Sequence, residues 1–137
     1  MNRNINILVV DDFSTMRRII RNILRELGFH NILEAADGAS ALSMLATGSV
    51  DLLVTDWNMP GMPGLELLKR VRESSVFGSM PVLMLTAEAK REQIVEAARA
   101  GANGYIIKPF TTATLKSKIE MLFPDSSEGW SVAAAVS

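Results

Sequence analysis

INILVVDD, residues 5–12, is a mainly apolar run that ends in two adjacent carboxylates. Residues 5–10 are interpreted as a buried strand, because short apolar runs are typical of parallel sheets that are covered on both faces. The segment that follows has apolar side chains at helical spacing, namely Met16, Ile19, Ile20, Ile23, Leu24 and Leu27. The opening of the chain therefore predicts a strand followed by an amphipathic helix.

This strand-and-helix unit recurs along the chain, and two prolines with two glycines predict a loop over residues 58–64. Further apolar strand runs occur at residues 32–35, 52–54, 82–85 and 104–107. A helical pattern follows each of them, and in the fourth helix, residues 90–100, we expect Ile94 and Ala98 to face inward. Five such units predict an α/β fold with a five-stranded parallel sheet, helices on both faces and right-handed crossovers.

The composition restricts the protein to a few broad classes. With 137 residues, of which 48% are hydrophobic and 21% charged, the chain is long enough for one domain with a sizeable core. A net charge of −1 gives no general attraction to nucleic acid or to anionic membranes. The absence of cysteine excludes disulfides and cysteine-based metal sites. Because the sequence has neither a signal-peptide pattern nor a membrane-spanning stretch, we expect a cytoplasmic protein without membrane insertion.

Polar side chains stand at the ends of four predicted strands. Asp11 and Asp12 follow the first strand, and Asp56 follows the third. Thr86 follows the fourth strand and Lys108 the fifth. Because ligands of open parallel sheets bind beyond the carboxyl ends of the strands, we expect these side chains to converge on one edge. Helix capping or an ordinary surface position can explain any one of these residues. To explain polar residues at all four strand ends, these roles would have to coincide four times independently.

The chemistry of this set points to phosphoryl transfer. Three crowded carboxylates repel one another and need a cation to remain ionised, and an all-oxygen set without histidine or cysteine favours Mg²⁺ over Zn²⁺. A carboxylate beside Mg²⁺, here Asp56, can act as a nucleophile and form an acyl phosphate. Lys108 can hold a phosphoryl oxygen as a point charge, and Thr86 can donate a hydrogen bond to another.

Four stretches of the sequence resemble the response-regulator receiver family. They are VVDDFSTMRR at residues 9–18, TDWNMP at 55–60, LTAEAK at 85–90, and GY at 104–105 with KPF at 108–110. Within the family, the runs FSTMRR, WN and AEAK are similar to the single-domain chemotaxis subgroup. The resemblance extends to Phe123 and implies a receiver domain over residues 1–123. Residues 124–137, around Trp130, do not match and are interpreted as a C-terminal tail whose order is left open.

The fold that this resemblance implies is a flavodoxin-like (βα)5 three-layer sandwich with the strand order 2-1-3-4-5. Asp56 would accept a phosphoryl group from a phosphohistidine of a chemotaxis histidine kinase. Mg²⁺ would be ligated by Asp12, Asp56 and the backbone carbonyl of Asn58, with Asp11 contributing directly or through water. Lys108 would pair with Asp56 and then with the phosphoryl group. The protein would be a signalling switch and not an enzyme, with only intrinsic phosphotransfer and autodephosphorylation.

The same resemblance implies a route from the phosphoryl group to an output surface. Thr86 would swing toward a phosphoryl oxygen, and Tyr105 would then shift inward. The shift would alter the surface of the fourth helix, fifth strand and fifth helix, which would bind the flagellar motor switch and, where one exists, a phosphatase. Asn58 and Glu88 would tune the lifetime of the phosphate. The family also implies a cis Lys108–Pro109 bond, which proline makes accessible, and we expect a monomer.

Three alternative functions differ in what they require of the sequence. A Mg²⁺-dependent phosphohydrolase of the haloacid-dehalogenase kind would have an Asp-x-Asp pattern after the first strand, whereas Asp11 and Asp12 are adjacent. A nucleotide or flavin binder would have a glycine-rich first loop, and residues 11–14 contain no glycine. A phosphorelay shuttle, which passes the phosphoryl group on to another histidine, needs the same site as a motor-binding regulator. The sequence leaves this last alternative open.

Two features lie outside this chemistry. Pro63 stands where the family usually has aspartate before Gly64, and it is tolerated because it lies at the start of the third helix. Arg17, Arg21 and Arg25 recur at i, i+4 spacing and are interpreted as the solvent-exposed face of the first helix. Steering of a phosphorylated partner is the weaker alternative for this stripe.

Overall fold

Strands and helices alternate along the chain in the computed structural model, which describes residues 2–88 and 90–123. The elements are β1 (Ile7–Val10), α1 (Ser14–Glu26), β2 (Ile32–Ala35), α2 (Gly38–Leu45), β3 (Leu52–Asp56), α3 (Gly64–Glu73), β4 (Val82–Thr86), α4 (Arg91–Arg99), β5 (Gly104–Ile107) and α5 (Thr112–Leu122). Among the described residues, no helix is long and apolar enough to cross a membrane. The tail predicted over residues 124–137, with Trp130, lies outside the described residues.

The strands form one sheet in the order β2-β1-β3-β4-β5, and every neighbouring pair is parallel. The register places Val10 of β1 beside Ala35 of β2 and Thr55 of β3. The predicted five-stranded parallel sheet is therefore confirmed, as is the strand order that the resemblance implies. The winding reverses between β1 and β3, which is where open α/β sheets form their ligand crevice.

Side chains that alternate along the buried strands fill two separate cores. One core combines strand residues with α1 and α5, and includes Ile7, Val9, Ile20, Leu24, Leu115 and Ile119. The other combines the intervening strand residues with α2 and α3, and includes Leu8, Val10, Ala41, Leu45, Leu67 and Leu68. Because successive strand residues point to opposite faces, one apolar run supplies both cores. Helices thus cover both faces of the sheet, and the predicted three-layer sandwich is confirmed.

Three positions differ from the sequence-based expectation. The first strand begins at Ile7, two residues later than predicted, although Ile5 is itself buried. Ile19 is 44% exposed, because it lies about 100° around α1 from Ile20, which is buried. In α4 the buried alanine is Ala97 and not Ala98, which is exposed. An alanine-rich helix has little contrast in side-chain size between its faces, so its inward face is poorly marked in the sequence.

An arginine connects the loops that lead into the amino ends of the strands. Arg72, near the end of α3, donates to the backbone carbonyls of Gly78 at 3.0 Å and Met80 at 2.6 Å. It also donates twice to the Gly101 carbonyl, at 3.1 and 2.7 Å, and to Asn103 Oδ1 at 2.7 Å. One side chain therefore holds α3 to the loops that precede β4 and β5.

Arg72→Met is expected to lower the free energy of unfolding by about 3 kcal/mol, because several charge-assisted hydrogen bonds are lost and carbonyl groups are left without a donor. Urea denaturation measures this directly. Arg70→Met is the matched control, since Arg70 lies on the same helix, is exposed and pairs with Glu66 at a longer distance of 3.9 Å. It should cost less than about 0.5 kcal/mol, and equal losses in both variants would refute the structural role of Arg72.

Candidate functional site

The predicted polar residues lie together at the carboxyl edge of the sheet. Asp11 and Asp12 follow β1 directly, and Lys108 follows β5. Asp56 and Thr86 are the last residues of β3 and β4. Because the strands are parallel and in register, their carboxyl ends meet, and the fold places these five side chains around one crevice.

Lys108 links two of the carboxylates. Its Nζ donates to Asp56 Oδ1 at 2.9 Å and to Asp11 Oδ2 at 3.3 Å. Asp11 is fully buried and Asp56 is 6% exposed, so the ammonium group of Lys108 offsets part of the cost of burying negative charge there. A single ammonium group cannot neutralise the three carboxylates of the crevice when all are ionised, and the site keeps a net negative charge that attracts a further cation.

The three aspartates offer a set of oxygens that fits Mg²⁺. One carboxylate oxygen from each of Asp11, Asp12 and Asp56 lies within 4.8 Å of the others. Asp12 Oδ1 is buried and has no hydrogen-bond partner within residues 2–88 and 90–123. A buried acceptor without a partner is costly, and a cation held between the carboxylates would satisfy it. The donor set is all oxygen, which is the preference of a hard divalent cation.

Helix capping accounts for only part of the Asp11–Asp12 pair. Phe13 occupies the N-cap position of α1 and makes no side-chain cap hydrogen bond. Asp11 Oδ1 accepts a hydrogen bond from the Phe13 amide at 2.9 Å, so this carboxylate shapes the turn into the helix. Its other oxygen faces Lys108. Turn formation therefore occupies one oxygen of Asp11 and leaves the unpartnered oxygen of Asp12 unexplained.

Burial raises the pKa of Asp56 above its ordinary value of 3.8. The hydrogen bond and the positive charge of Lys108 act in the opposite direction, and the charge of Asp11 adds to the increase. Because the folded state then binds this proton more tightly than the unfolded state, the free energy of unfolding falls as the pH rises from 3.8 through the raised pKa. Burial destabilises the anionic form of this carboxylate. Carboxylates with shifted pKa values are frequent at reactive sites.

The Thr86 hydroxyl is engaged with its own loop. Thr86 is 5% exposed, and its Oγ1 donates to the Glu88 carbonyl at 3.0 Å and accepts from the Glu88 amide at 3.2 Å. To donate to a group bound at Asp56, the hydroxyl has to release the Glu88 carbonyl. The exchange is favourable when the new acceptor is charged, because charge-assisted hydrogen bonds are about twice as strong as neutral ones.

Tyr105 lies beside Thr86 and also reaches the protein surface. Both residues line a small cavity of about 10 Å³, together with Trp57, Met84, Gln93, Ile94 and Ala97. Tyr105 is 36% exposed, and Lys118 Nζ lies 5.5 Å from its ring centroid, which is a favourable cation–π distance. The ring also lines a larger cavity of about 260 Å³ between α4, β5 and α5. Tyr105 therefore touches both the Thr86 side and the α4–β5–α5 surface, as do Ile94 and Ala97 of α4.

The remaining predicted residues lie at the rim of the crevice. Asn58 and Glu88 have exposed side chains, and Glu88 pairs with Lys90 at 2.9 Å. The Lys108–Pro109 peptide bond is cis, which confirms the expectation from the resemblance. Pro63 is the N-cap residue of α3, and its carbonyl accepts the Leu67 amide at 3.1 Å, so proline is accommodated there.

Gly64 supports the site in a way that the sequence analysis missed. Its amide donates to the Trp57 carbonyl at 2.9 Å, which places the first turn of α3 directly against the loop after Asp56. A side-chain carbon at this position would collide with the backbone carbonyl oxygen of Asp56. In the sequence, a glycine that follows two prolines is typical of a loop. Only the packing of α3 shows that a glycine is needed here.

Gly64→Ala is expected to destabilise the protein by about 1–3 kcal/mol, because a methyl group must displace the backbone of Asp56. It should also slow phosphorylation of Asp56, since the carboxylate moves with that backbone. Thermal denaturation and a phosphorylation assay report the two effects. Gly104→Ala is the control, because a methyl group there meets only a Leu83 side-chain methyl at 3.2 Å. Wild-type stability of Gly64→Ala would show that the close approach is unimportant.

Comparison with known proteins identifies the class to which this fold and site belong. Residues 7–120 match the family model of the response regulator receiver domain, and the chain belongs to this family. It is 63% identical over 123 residues to chemotaxis protein CheY-3 of Vibrio cholerae serotype O1, covering 90% of this chain and 95% of that protein. It is 64% identical over 117 residues to chemotaxis protein CheY of Pseudomonas aeruginosa, covering 85% and 94%.

Solved structures agree with this assignment. Chemotaxis protein CheY4 of Vibrio cholerae superposes with a TM-score of 0.80 at 35% identity, covering 85% of this chain and 97% of that one. A response regulator from Chloroflexus aurantiacus superposes with a TM-score of 0.83 at 32% identity, covering 89% and 99%. The chain is thus a CheY-like receiver domain of the chemotaxis type, with the flavodoxin-like fold expected from the sequence.

Proposed function

We propose that this protein is a phosphorylation-activated chemotaxis response regulator in which Asp56 accepts a phosphoryl group from a histidine kinase. The observation that carries the proposal is the arrangement around Asp56. Lys108 Nζ lies 2.9 Å from Asp56 Oδ1, while Asp12 keeps a buried oxygen without a partner in the described part of the chain. The crevice thus offers a nucleophile, a fixed positive charge and ligands for Mg²⁺. The similarity to chemotaxis proteins named CheY-3 and CheY supports the biological setting.

The carboxylate of Asp56 attacks the phosphorus atom of a phosphohistidine. The new P–O bond forms as the P–N bond breaks, and the electron pair stays on the imidazole nitrogen, which takes up a proton. Asp12, Asp56 and the Asn58 carbonyl, with Asp11 directly or through water, would hold Mg²⁺, which would neutralise charge on the transferring phosphoryl group. Lys108 is already within hydrogen-bond distance of Asp56, so it can follow the phosphoryl oxygen as a point charge without a large movement.

The phosphoryl group acts as a switch through two side chains. Phosphorylation replaces the single negative charge of the Asp56 carboxylate with a phosphoryl group that carries about −1.5 to −2, and its oxygens draw the Thr86 hydroxyl away from the Glu88 carbonyl. Tyr105 lines the same small cavity as Thr86, so its inward position becomes more populated when the threonine moves. The phosphoryl group thereby shifts an equilibrium between two conformations of the α4–β5–α5 surface.

The output surface proposed for the flagellar motor switch is the one around the cavity of about 260 Å³ between α4, β5 and α5. A phosphatase, where present, acts at the exposed rim of the crevice, where Asn58 and Glu88 tune the lifetime of the phosphate by controlling the approach of water. The receiver domain spans residues 1–123, works as a monomer in the cytoplasm, and has no catalytic activity beyond phosphotransfer and autodephosphorylation.

The proposal predicts that a peptide from the flagellar motor switch binds at least about tenfold more tightly when beryllofluoride and Mg²⁺ are present. Beryllofluoride stands in for the phosphoryl group on Asp56, and tenfold corresponds to about 1.4 kcal/mol of differential affinity between the two conformations. Fluorescence anisotropy of a labelled peptide measures the affinity. Asp56→Asn serves as the control, because it cannot hold beryllofluoride and should bind equally under both conditions.

Equal affinity of the wild type in both conditions would refute the switching of this surface. Rapid transfer of the phosphoryl group from the protein to a histidine-containing domain, with no gain in peptide affinity, would favour the phosphorelay shuttle instead. Continuous hydrolysis of small phosphomonoesters would favour the phosphohydrolase.

A further inference from the structure

An arginine of α1 contacts the backbone of the aspartate turn. Arg17 Nη1 donates to the backbone carbonyl of Asp11 at 2.6 Å, and Arg17 Nε donates to Glu34 Oε1 at 3.2 Å. Arg21 Nη1 binds the other oxygen of Glu34 at 2.7 Å. The Arg17 side chain is only 17% exposed. The interpretation of the arginine stripe as a solvent face is therefore wrong for Arg17 and Arg21, and it holds for Arg25, which is exposed.

These contacts hold Asp11 from more than one side. The Asp11 amide donates to the Ala35 carbonyl of β2 at 3.2 Å, and the Asp11 carboxylate accepts the Phe13 amide at 2.9 Å. The carbonyl of Asp11 is held by Arg17. Because α1 has no side-chain N-cap, these bonds and the helix itself define the direction in which the turn leaves β1.

Glu34 makes the arrangement rigid. It lies on β2 beside Val9 of β1, so its carboxylate is anchored to the sheet and not to the helix that carries Arg17. A guanidinium group is a planar fork that can serve two acceptors at once, and here it joins Glu34 to the Asp11 carbonyl. The sheet, the helix and the aspartate turn are thus connected through one side chain.

We propose that Arg17, held by Glu34, is a positioning residue for the Mg²⁺ site. By fixing the Asp11–Asp12 peptide, it directs both carboxylates toward one cation. The inference rests on the proposed function, because that function assigns Mg²⁺ to the aspartate cluster. Loss of a residue that orients metal ligands typically weakens metal binding by about 10–100-fold.

Electrostatic repulsion alone predicts the opposite change in Mg²⁺ affinity when Arg17 is replaced. The positive charge of Arg17 repels a divalent cation at the neighbouring aspartates, so removing the charge would tighten Mg²⁺ binding if repulsion were the only effect. Positioning predicts weaker binding after the same substitution. Lysine separates the two effects further, because it keeps the charge but offers a single ammonium group in place of the planar fork.

Isothermal titration with Mg²⁺ tests the proposal on the full chain. We expect Arg17→Met and Arg17→Lys to bind Mg²⁺ about tenfold more weakly than the wild type. Arg25→Met removes the same charge from the far end of α1 and should change the affinity less than about twofold, since exposed charges at that distance are screened. Thermal melts in EDTA show which variants are folded without metal. If Arg17→Met does not fold, Arg17→Lys carries the test, and it should bind Mg²⁺ more weakly than the wild type.

The possible results distinguish a failure of the positioning role from a failure of the proposed function on which it rests. Failure of the wild type to bind Mg²⁺ would refute the metal site itself. Wild-type binding together with equal or tighter binding by folded Arg17→Lys would refute only the positioning role. A loss of affinity in Arg25→Met as large as that in Arg17→Met would also refute it, because the loss would then follow from replacing any arginine of α1 and not from the contact of Arg17 with Asp11.

Discussion

Asp56→Asn is expected to abolish phosphate uptake from acetyl phosphate, with the rate falling by about 10⁴-fold or more, as for loss of other nucleophiles. Asparagine has nearly the same shape and can still accept the hydrogen bond of Lys108, which is 2.9 Å from Asp56 Oδ1. Its amide oxygen is not a nucleophile at neutral pH, so no acyl phosphate forms. Intact-protein mass spectrometry after incubation with acetyl phosphate and Mg²⁺ detects the added phosphoryl group.

Asp37→Asn is the matched control for this experiment. Asp37 caps α2 by accepting the Ser40 amide at 2.7 Å, and asparagine caps a helix about equally well. The control protein should therefore fold normally and take up one phosphoryl group at the wild-type rate. Phosphorylation of Asp56→Asn at the wild-type rate would show that the nucleophile is a different residue, with Asp12 the first to test.

The fold was largely predictable because its strands are nearly all apolar. A parallel sheet that is covered on both faces buries every residue of a strand, as in β1 and β3, and such runs are conspicuous in the sequence. The helices are less clearly marked, because burial there depends on the exact face. Ile19 and Ala98 were predicted to face inward but are exposed, for this reason. The order of the strands depends on contacts between distant segments and came only from the family resemblance.

The candidate site was predictable for the residues that stand at strand ends. Asp56 and Lys108 are 52 positions apart in sequence, and the parallel register alone brings them to 2.9 Å. The contacts that support the site were not predictable. Gly64 matters because of the backbone that it touches, and Arg17 because its guanidinium turns inward toward Asp11. Neither property is encoded in residue type or spacing.

Lys108→Met is expected to slow phosphorylation of Asp56 by about 100-fold, comparable to the loss of one donor that stabilises a transition-state anion. Methionine fills a similar volume but offers neither a charge nor a donor. The buried carboxylates of Asp11 and Asp56 lose the cation that lies 3.3 and 2.9 Å from them. Phosphorylation rates with acetyl phosphate and Mg²⁺ measure the effect, and Lys116→Met, an exposed position on α5, is the control that should behave as wild type.

The pH dependence distinguishes the role of Lys108 from a general loss of structure. Burial already raises the pKa of Asp56, and Lys108 is the main influence that lowers it, so its removal should raise that pKa further. Less of the nucleophilic carboxylate is then ionised at a given pH, and the phosphorylation profile should move to higher pH. In EDTA, the free energy of unfolding should fall over a wider pH range above 3.8 than in the wild type, because the folded state binds the Asp56 proton more tightly. An unchanged pH profile with a normal rate would mean that Lys108 neither tunes Asp56 nor takes part in the transfer.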